Sequence, residues 1–220
     1  MEKIISHGAT IVVIALLASA CAQTTYVEFD DVESSSRLPG RVVEVEIDRE
    51  LYEHYPDCVV VMPPSMAPNL DNKISDLVEA SLSTALTSKL KRVISALERD
   101  LTARRMAVDL KHSEDRDLLL KALECDAFIS TEISGPGNAY YLVCSEFRIG
   151  LGVRLLRAQD GRLLWRAGHV ANRSGSGLPL SPIGAVVGIF SSARFSADLD
   201  VTISVVDDAV RRIVASLPNS

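Results

Sequence analysis

A chain of 220 residues accommodates one domain with room for a leader and a tether, and 47% apolar residues are ample for a packed core. A formal charge of −6 gives nucleic acid no long-range attraction, and no basic cluster resembles a phosphate footprint. Nucleic-acid binding is therefore not expected.

Residues 1–20 read as a leader. Lys3 opens it, and an apolar run from Ala9 to Leu17 falls short of the ~20 residues needed to span a bilayer. The small residues Ala18, Ser19 and Ala20 then stand directly before Cys21, in the proportions of a secretory signal peptide. An uncleaved membrane anchor is the other reading of this run, and either one puts the body outside the cytoplasm. Leu17 to Cys21 resembles the lipobox of bacterial lipoproteins. That resemblance implies that Cys21 becomes the first mature residue and is lipidated, with palmitate among its acyl chains. Ala22 is not the aspartate associated with inner-membrane retention, so the same resemblance implies the periplasmic face of the outer membrane.

Residues 21–40 read as the acylated cysteine and a flexible tether, since Asp30-Asp31, Ser34-Ser35-Ser36 and Pro39-Gly40 leave few side chains to bury. Residues 41–220 then form one domain. Arg41 to Ile47 alternates as a short edge strand would. Cys58-Val59-Val60-Val61-Met62 is continuously apolar, which suits a strand buried on both faces, and Pro63-Pro64 ends it. Asp71 or Asn72 is placed to cap a helix whose stripe is Ile74, Leu77, Val78, Leu82, Ala85, Leu86 and Leu90, with Asp76, Glu79 and Lys89 off it. A second strand is expected over Arg92–Leu97, with a continuation of the preceding helix as the other reading, and a strongly charged helix over Glu98–Leu110. Ser113 caps the next helix, whose apolar face is Leu118, Leu119, Ala122 and Leu123.

Asp126 to Ile133 reads as a strand stopped by Ser134-Gly135-Pro136-Gly137-Asn138. From Tyr140 to Leu156 the chain alternates, with Phe147, Ile149, Leu151, Val153 and Leu155 on one face. Asp160-Gly161 supplies a hairpin turn back into Leu163–Ala167, because this dipeptide readily takes positive φ. Asn172 to Ser181 is Ser/Gly-rich and reads as a loop. A last helix runs from about Ala197 to Leu217, with Asp207 and Asp208 each four residues before Arg211 and Arg212. The fold class expected is α/β: a mixed sheet with a long antiparallel hairpin and helices packed on it.

No catalytic or metal-binding pattern stands out. His54, His112 and His169 are far apart, there is no Gly-x-Ser-x-Gly elbow, and no Cys-x-x-Cys occurs. Cys58, Cys125 and Cys144 each lie in or beside an apolar run, so buried free thiols are the plainer reading, with a disulfide the alternative in an oxidising compartment. The acidic run Glu114-Asp115-Arg116-Asp117 is a solvated helix start. No cofactor is expected. Two stretches are candidate interfaces. One is a glycine-flexed loop, residues 135–141, carrying Tyr140 and Tyr141, with a plain turn followed by half-buried strand residues as the other reading. The other is the small apolar segment holding Ile183, Val186, Val187 and Phe190.

Three pieces carry a wider resemblance: Val59 to Pro64, Cys125-Asp126-Ala127-Phe128-Ile129, and Leu156 through Asp160-Gly161-Arg162-Leu163-Leu164-Trp165. Together they resemble the group of periplasmic proteins that includes the TolB amino-terminal domain, CsgG-like proteins and LpoB-type lipoproteins, over roughly residues 57–217. The resemblance implies a non-enzymatic envelope component, anchored to the membrane through Cys21, binding other envelope proteins or further copies of itself. A glycan- or small-ligand-binding module is the alternative.

Overall fold

The computed structural model describes residues 24–28, 42–68, 70–141, 144–176 and 199–219. Its strands are β1 (Thr25–Glu28), β2 (Val42–Ile47), β3 (Cys58–Val61), β4 (Ser65–Met66), β5 (Arg92–Ile94), β6 (Ala127–Tyr141), β7 (Cys144–Arg157) and β8 (Leu163–Ser176). Its helices are α1 (Glu50–Glu53), α2 (Asn72–Leu86), α3 (Ala96–Met106), α4 (Ser113–Ala122) and α5 (Leu199–Ala215). The strands form one mixed sheet in the order β1-β2-β8-β7-β6-β3-β5, with β4 beside β6. This is the α/β architecture expected from the sequence.

β3 is buried at all four positions and pairs in parallel with β5 and β6. Its alternate side chains feed two cores. Val59 and Val61 join the larger, with Val78, Leu82 and Leu86 of α2, Val206, Val210 and Ile213 of α5, and Trp165 of β8. Val60 joins the smaller, with Ile94, Phe128, Ala103 of α3 and Leu119 and Leu120 of α4. A continuous apolar run is what a strand between two helical layers requires.

The β7–β8 hairpin follows its sequence signature. Gly161 has φ +70°, the left-handed region glycine enters without steric cost. Ile149, Leu151, Val153 and Leu155 are all buried on one face of β7, as the alternation demands. Arg157 donates to Asp160 at 2.6–2.9 Å and also pairs with Glu50, while Arg162 pairs with Asp48 and Glu50. The Asp160 carboxyl is lowered to about 2, first by its hydrogen bond with Arg157 and then by the Arg162 backbone N–H.

Several expectations need correction. Thr25–Glu28, expected within the tether, pairs in parallel with β2, so β2 lies between two strands and is not an edge. Thr24 accepts from Arg212 at 2.6 Å, which fastens this strand to α5. Only Arg92–Ile94 of the expected second strand is extended, because Ser95 accepts from the Glu98 N–H and starts α3 there. His112, not Ser113, is the residue before α4, and it makes no side-chain cap. Leu118 is 50% exposed and Leu120 takes its place in the core.

The loops expected at 134–138 and 172–176 are strand. β6 continues through Gly135-Pro136-Gly137 because a register shift between Ser134 and Gly137 absorbs the irregular residues, and β8 continues to Ser176 opposite Cys144. Asp71, of the two cap candidates, accepts from the Lys73 N–H at 2.9 Å. On α5, Asp208 takes both Arg211 and Arg212, leaving Asp207 to accept from Ser81.

Cys58 and Cys125 are joined by a disulfide with their Cα atoms 4.7 Å apart, which corrects the reading as free thiols. Pairing of Val59 with Ala127 in parallel strands is what brings the two cysteines side by side. Sixty-seven residues of separation hid that proximity in the sequence.

Candidate functional site

The sequence candidates do not converge. Cys21, Ile183, Val186, Val187 and Phe190 lie outside the described residues. Tyr140 and Tyr141 belong to the far end of the β6–β7 hairpin, where the Tyr141 backbone pairs with Cys144; of the two readings of this stretch, they are strand residues. Among the described residues no group of three or more His, Cys, Asp or Glu could hold a metal ion. His54 and His112 are exposed, while His169 is buried in β8 with Nδ1 2.7 Å from the Val42 carbonyl oxygen. Burial lowers the His169 imidazole below its ordinary value, and Arg212 adds to that, against the hydrogen bond to Val42 and the charge of Asp208.

The sheet topology marks one place where ligands commonly sit. The chain leaves β3 for α2 on one face and leaves β5 for α3 on the other, so the carboxyl ends of these neighbouring strands form a switch point. Here that crevice is filled. Arg99 of α3, 2% exposed, donates to the Val61 carbonyl at 2.6 Å and forms an ion pair with Glu79 of α2. Asp100 accepts a further bond from Arg99 at 2.8 Å. Burial raises the Glu79 carboxyl, and Arg99 opposes that without reversing it. Enclosed between α2 and α3, the pair acts as a plug. Periodicity placed Glu79 off the apolar stripe and offered no sign of its partner.

An open groove lies between α2 and α5. Leu77, Val210 and Val214 line it together with Ala80, Ala85 and Ala215, and its volume is about 720 Å³. Lys89, Asp207 and Arg211 supply its charge. Ser81 bridges the two helices by donating to Asp207 at 2.6 Å. At one end Lys89 donates to Asn219 at 2.7 Å, and Tyr55 donates to the Pro218 carbonyl at 2.9 Å. Both helix faces carried readable stripes, but their separation could be known only from the packed structure.

These features define an α/β domain with a plugged switch point and an apolar groove between two helices on one face. No protein-family model matches the sequence, and no curated protein matches it either. Some solved structures are similar to this chain. Lipoprotein GNA1162 from Neisseria meningitidis is 17% identical, with 65% of this chain and all of that one covered at a TM-score of 0.47. The LpoB C-terminal domain from Salmonella enterica is 14% identical over 52% of this chain and 82% of its own, at 0.40. A PelC dodecamer from Paraburkholderia phytofirmans is 12% identical over 77% and 94%, at 0.39.

Proposed function

We propose that this chain is a non-enzymatic component of the bacterial cell envelope, lipid-anchored through Cys21 at the periplasmic face of the outer membrane, that docks another envelope protein in the α2–α5 groove. The groove is the observation that carries the docking. Its apolar lining of leucine, valine and alanine, edged by Lys89, Asp207 and Arg211, has the apolar centre and polar margin of a protein interface. Alanines along its walls allow a partner's backbone to approach closely. The Cys58–Cys125 bond supports an oxidising compartment, where such links persist. Acyl chains on Cys21 supply the anchor, each buried methylene contributing ~0.8 kcal/mol.

A photo-crosslinker placed at Thr84 in intact cells tests the docking. A discrete product that disappears when Ala80 and Ala215 are both changed to Glu is expected, and its mass separates a second copy from a different protein. Crosslinking no stronger than from a control position at Arg105 defeats the reading. For the anchor, labelled palmitate should enter the wild type and not Cys21→Ser, and the variant should leave the membrane in a high-salt wash.

A further inference from the structure

A second concavity, about 670 Å³, lies beyond the carboxyl end of β3, on the face that α3 and α4 cover. The segment Met62–Ser65 forms one wall, the α3–α4 connection from Val108 to Lys111 forms another, and Phe128 and Arg116 close it. Phe128 is almost completely buried, and the Arg116 guanidinium sits over its ring at 5.0 Å, a cation–π contact. The Arg116 Nε is buried and has no hydrogen-bond partner among the described residues. No carboxylate among them pairs with Arg116 or with the Lys111 ammonium.

The charge here runs against that of the chain. Lys111 and Arg116 face a single lining carboxylate, Asp109, in a protein whose formal charge is −6. Asp109 is engaged elsewhere: it accepts from the Lys111 backbone N–H at 3.0 Å and lies 4.0 Å from His112. A guanidinium carries parallel N–H donors, the geometry that matches a carboxylate. A buried donor without an acceptor costs free energy that an incoming acceptor would restore. Beside these donors, Pro64, Val108 and Leu110 offer an apolar surface.

We infer that this cleft is a binding site for a small organic anion, a carboxylate carrying an adjacent apolar group, with Arg116 as the anchoring residue and Phe128 as the platform that orients it. A free amino-acid derivative and the carboxyl end of a peptide share this chemistry. The site does not depend on the α2–α5 groove, which lies on the other face of the sheet.

Titration of the full-length chain with N-acetyl-leucine, followed by amide chemical shifts, tests the inference. Saturable shifts centred on Arg116 and Phe128 are expected, with at least tenfold weaker binding of N-acetyl-leucinamide, which lacks the charge, and of acetate, which lacks the apolar group. A tripeptide ending in leucine, compared with its carboxyl-amidated form, separates the two sources: tighter binding than N-acetyl-leucine identifies a peptide end, and equal binding identifies the single residue. Arg116→Gln should weaken binding tenfold or more, Arg116→Lys should retain part of it, and Arg105→Gln should leave it unchanged. Should Arg116→Gln lose its fold, Lys111→Gln, at an exposed position, replaces it and should weaken binding severalfold. Equal shifts with the acid and the amide, or unchanged affinity in these variants, would overturn the inference.

Discussion

Where β3, β5 and the start of β6 lie, helices cover both faces of the sheet, whereas across β7, β8 and β2 the described helices cover one. The same face therefore carries two different kinds of residue. Val60, Ile94 and Phe128 occupy its enclosed part. Glu132 with Arg154, and Glu46 with Arg166, occupy its open part as charge pairs between neighbouring strands. Each half also uses its own fastening. The enclosed half holds the disulfide and the Glu79–Arg99 pair, and the open half relies on a long hairpin, α5 and surface charge. Polar contacts thus differ in energetic weight according to the layer above them.

The largest difference should come from Glu79→Ala. It strands the Arg99 guanidinium in the core, and a loss of about 3–5 kcal/mol in a denaturant titration is expected. Replacing both partners together, with Glu79→Leu and Arg99→Met, should recover most of that loss. A Glu79→Ala variant within 1 kcal/mol of wild type would mean that the pair is hydrated and does not plug the crevice.

Next comes the crosslink. Cys125→Ser frees a loop closed over 67 residues, and the loop-closure account predicts a loss of about 4 kcal/mol. Reductant should destabilise the wild type similarly and leave the variant unmoved. If reductant shifts both equally, the effect lies outside this bond.

A direct comparison of the two halves uses two truncations on one face. Val60→Ala, beneath α3 and α4, should cost about 2 kcal/mol by analogy with other large-to-small core changes. Arg154→Ala, half exposed and paired with Glu132, should cost less than about 1 kcal/mol. Equal losses would remove the distinction between enclosed and open layers.

The smallest effect concerns pH. His169 is buried on the single-covered half, and its folded value lies below the unfolded 6.5. Between those values the unfolded chain binds more protons, so stability should decline as pH falls below about 6.5 and be independent of this group above it. The groups around it enter with opposite signs, Arg212 lowering and Asp208 raising its affinity for a proton. His169→Phe should flatten this part of a melting-temperature profile. Identical slopes in variant and wild type would exclude His169 as the cause.

Much of the architecture was legible because it is written in local periodicity. Val59-Val60-Val61 announced a doubly covered strand, Asp160-Gly161 a hairpin, and the stripe from Ile74 to Leu90 a helix. What escaped depends on contacts between distant residues. Cys58 and Cys125 meet only through strand pairing, and Glu79 finds Arg99 from another helix. Strand β6 passes through Gly135-Pro136-Gly137 because its neighbour β7 supplies the pairing that local propensity denies it. The α2–α5 groove was half legible, since each helix showed its face while the distance between them did not. The cleft beside Arg116 was illegible, because its walls come from four separate stretches of chain.

The Cys58–Cys125 bond also sets what a single break in the backbone can do. It encloses β3, β4, α2, β5, α3 and α4 within one covalent ring, and leaves β6 to α5 outside it. A protease that cuts once in the exposed stretch around Asp109–His112 therefore opens the ring and releases nothing: both pieces stay joined until the sulfurs are reduced. One cut after Asp126 frees the carboxyl-terminal piece from all covalent connection to Cys21. Under the Cys21 anchoring proposed above, the ring would divide nicks that are survived in place from those that shed half of the molecule.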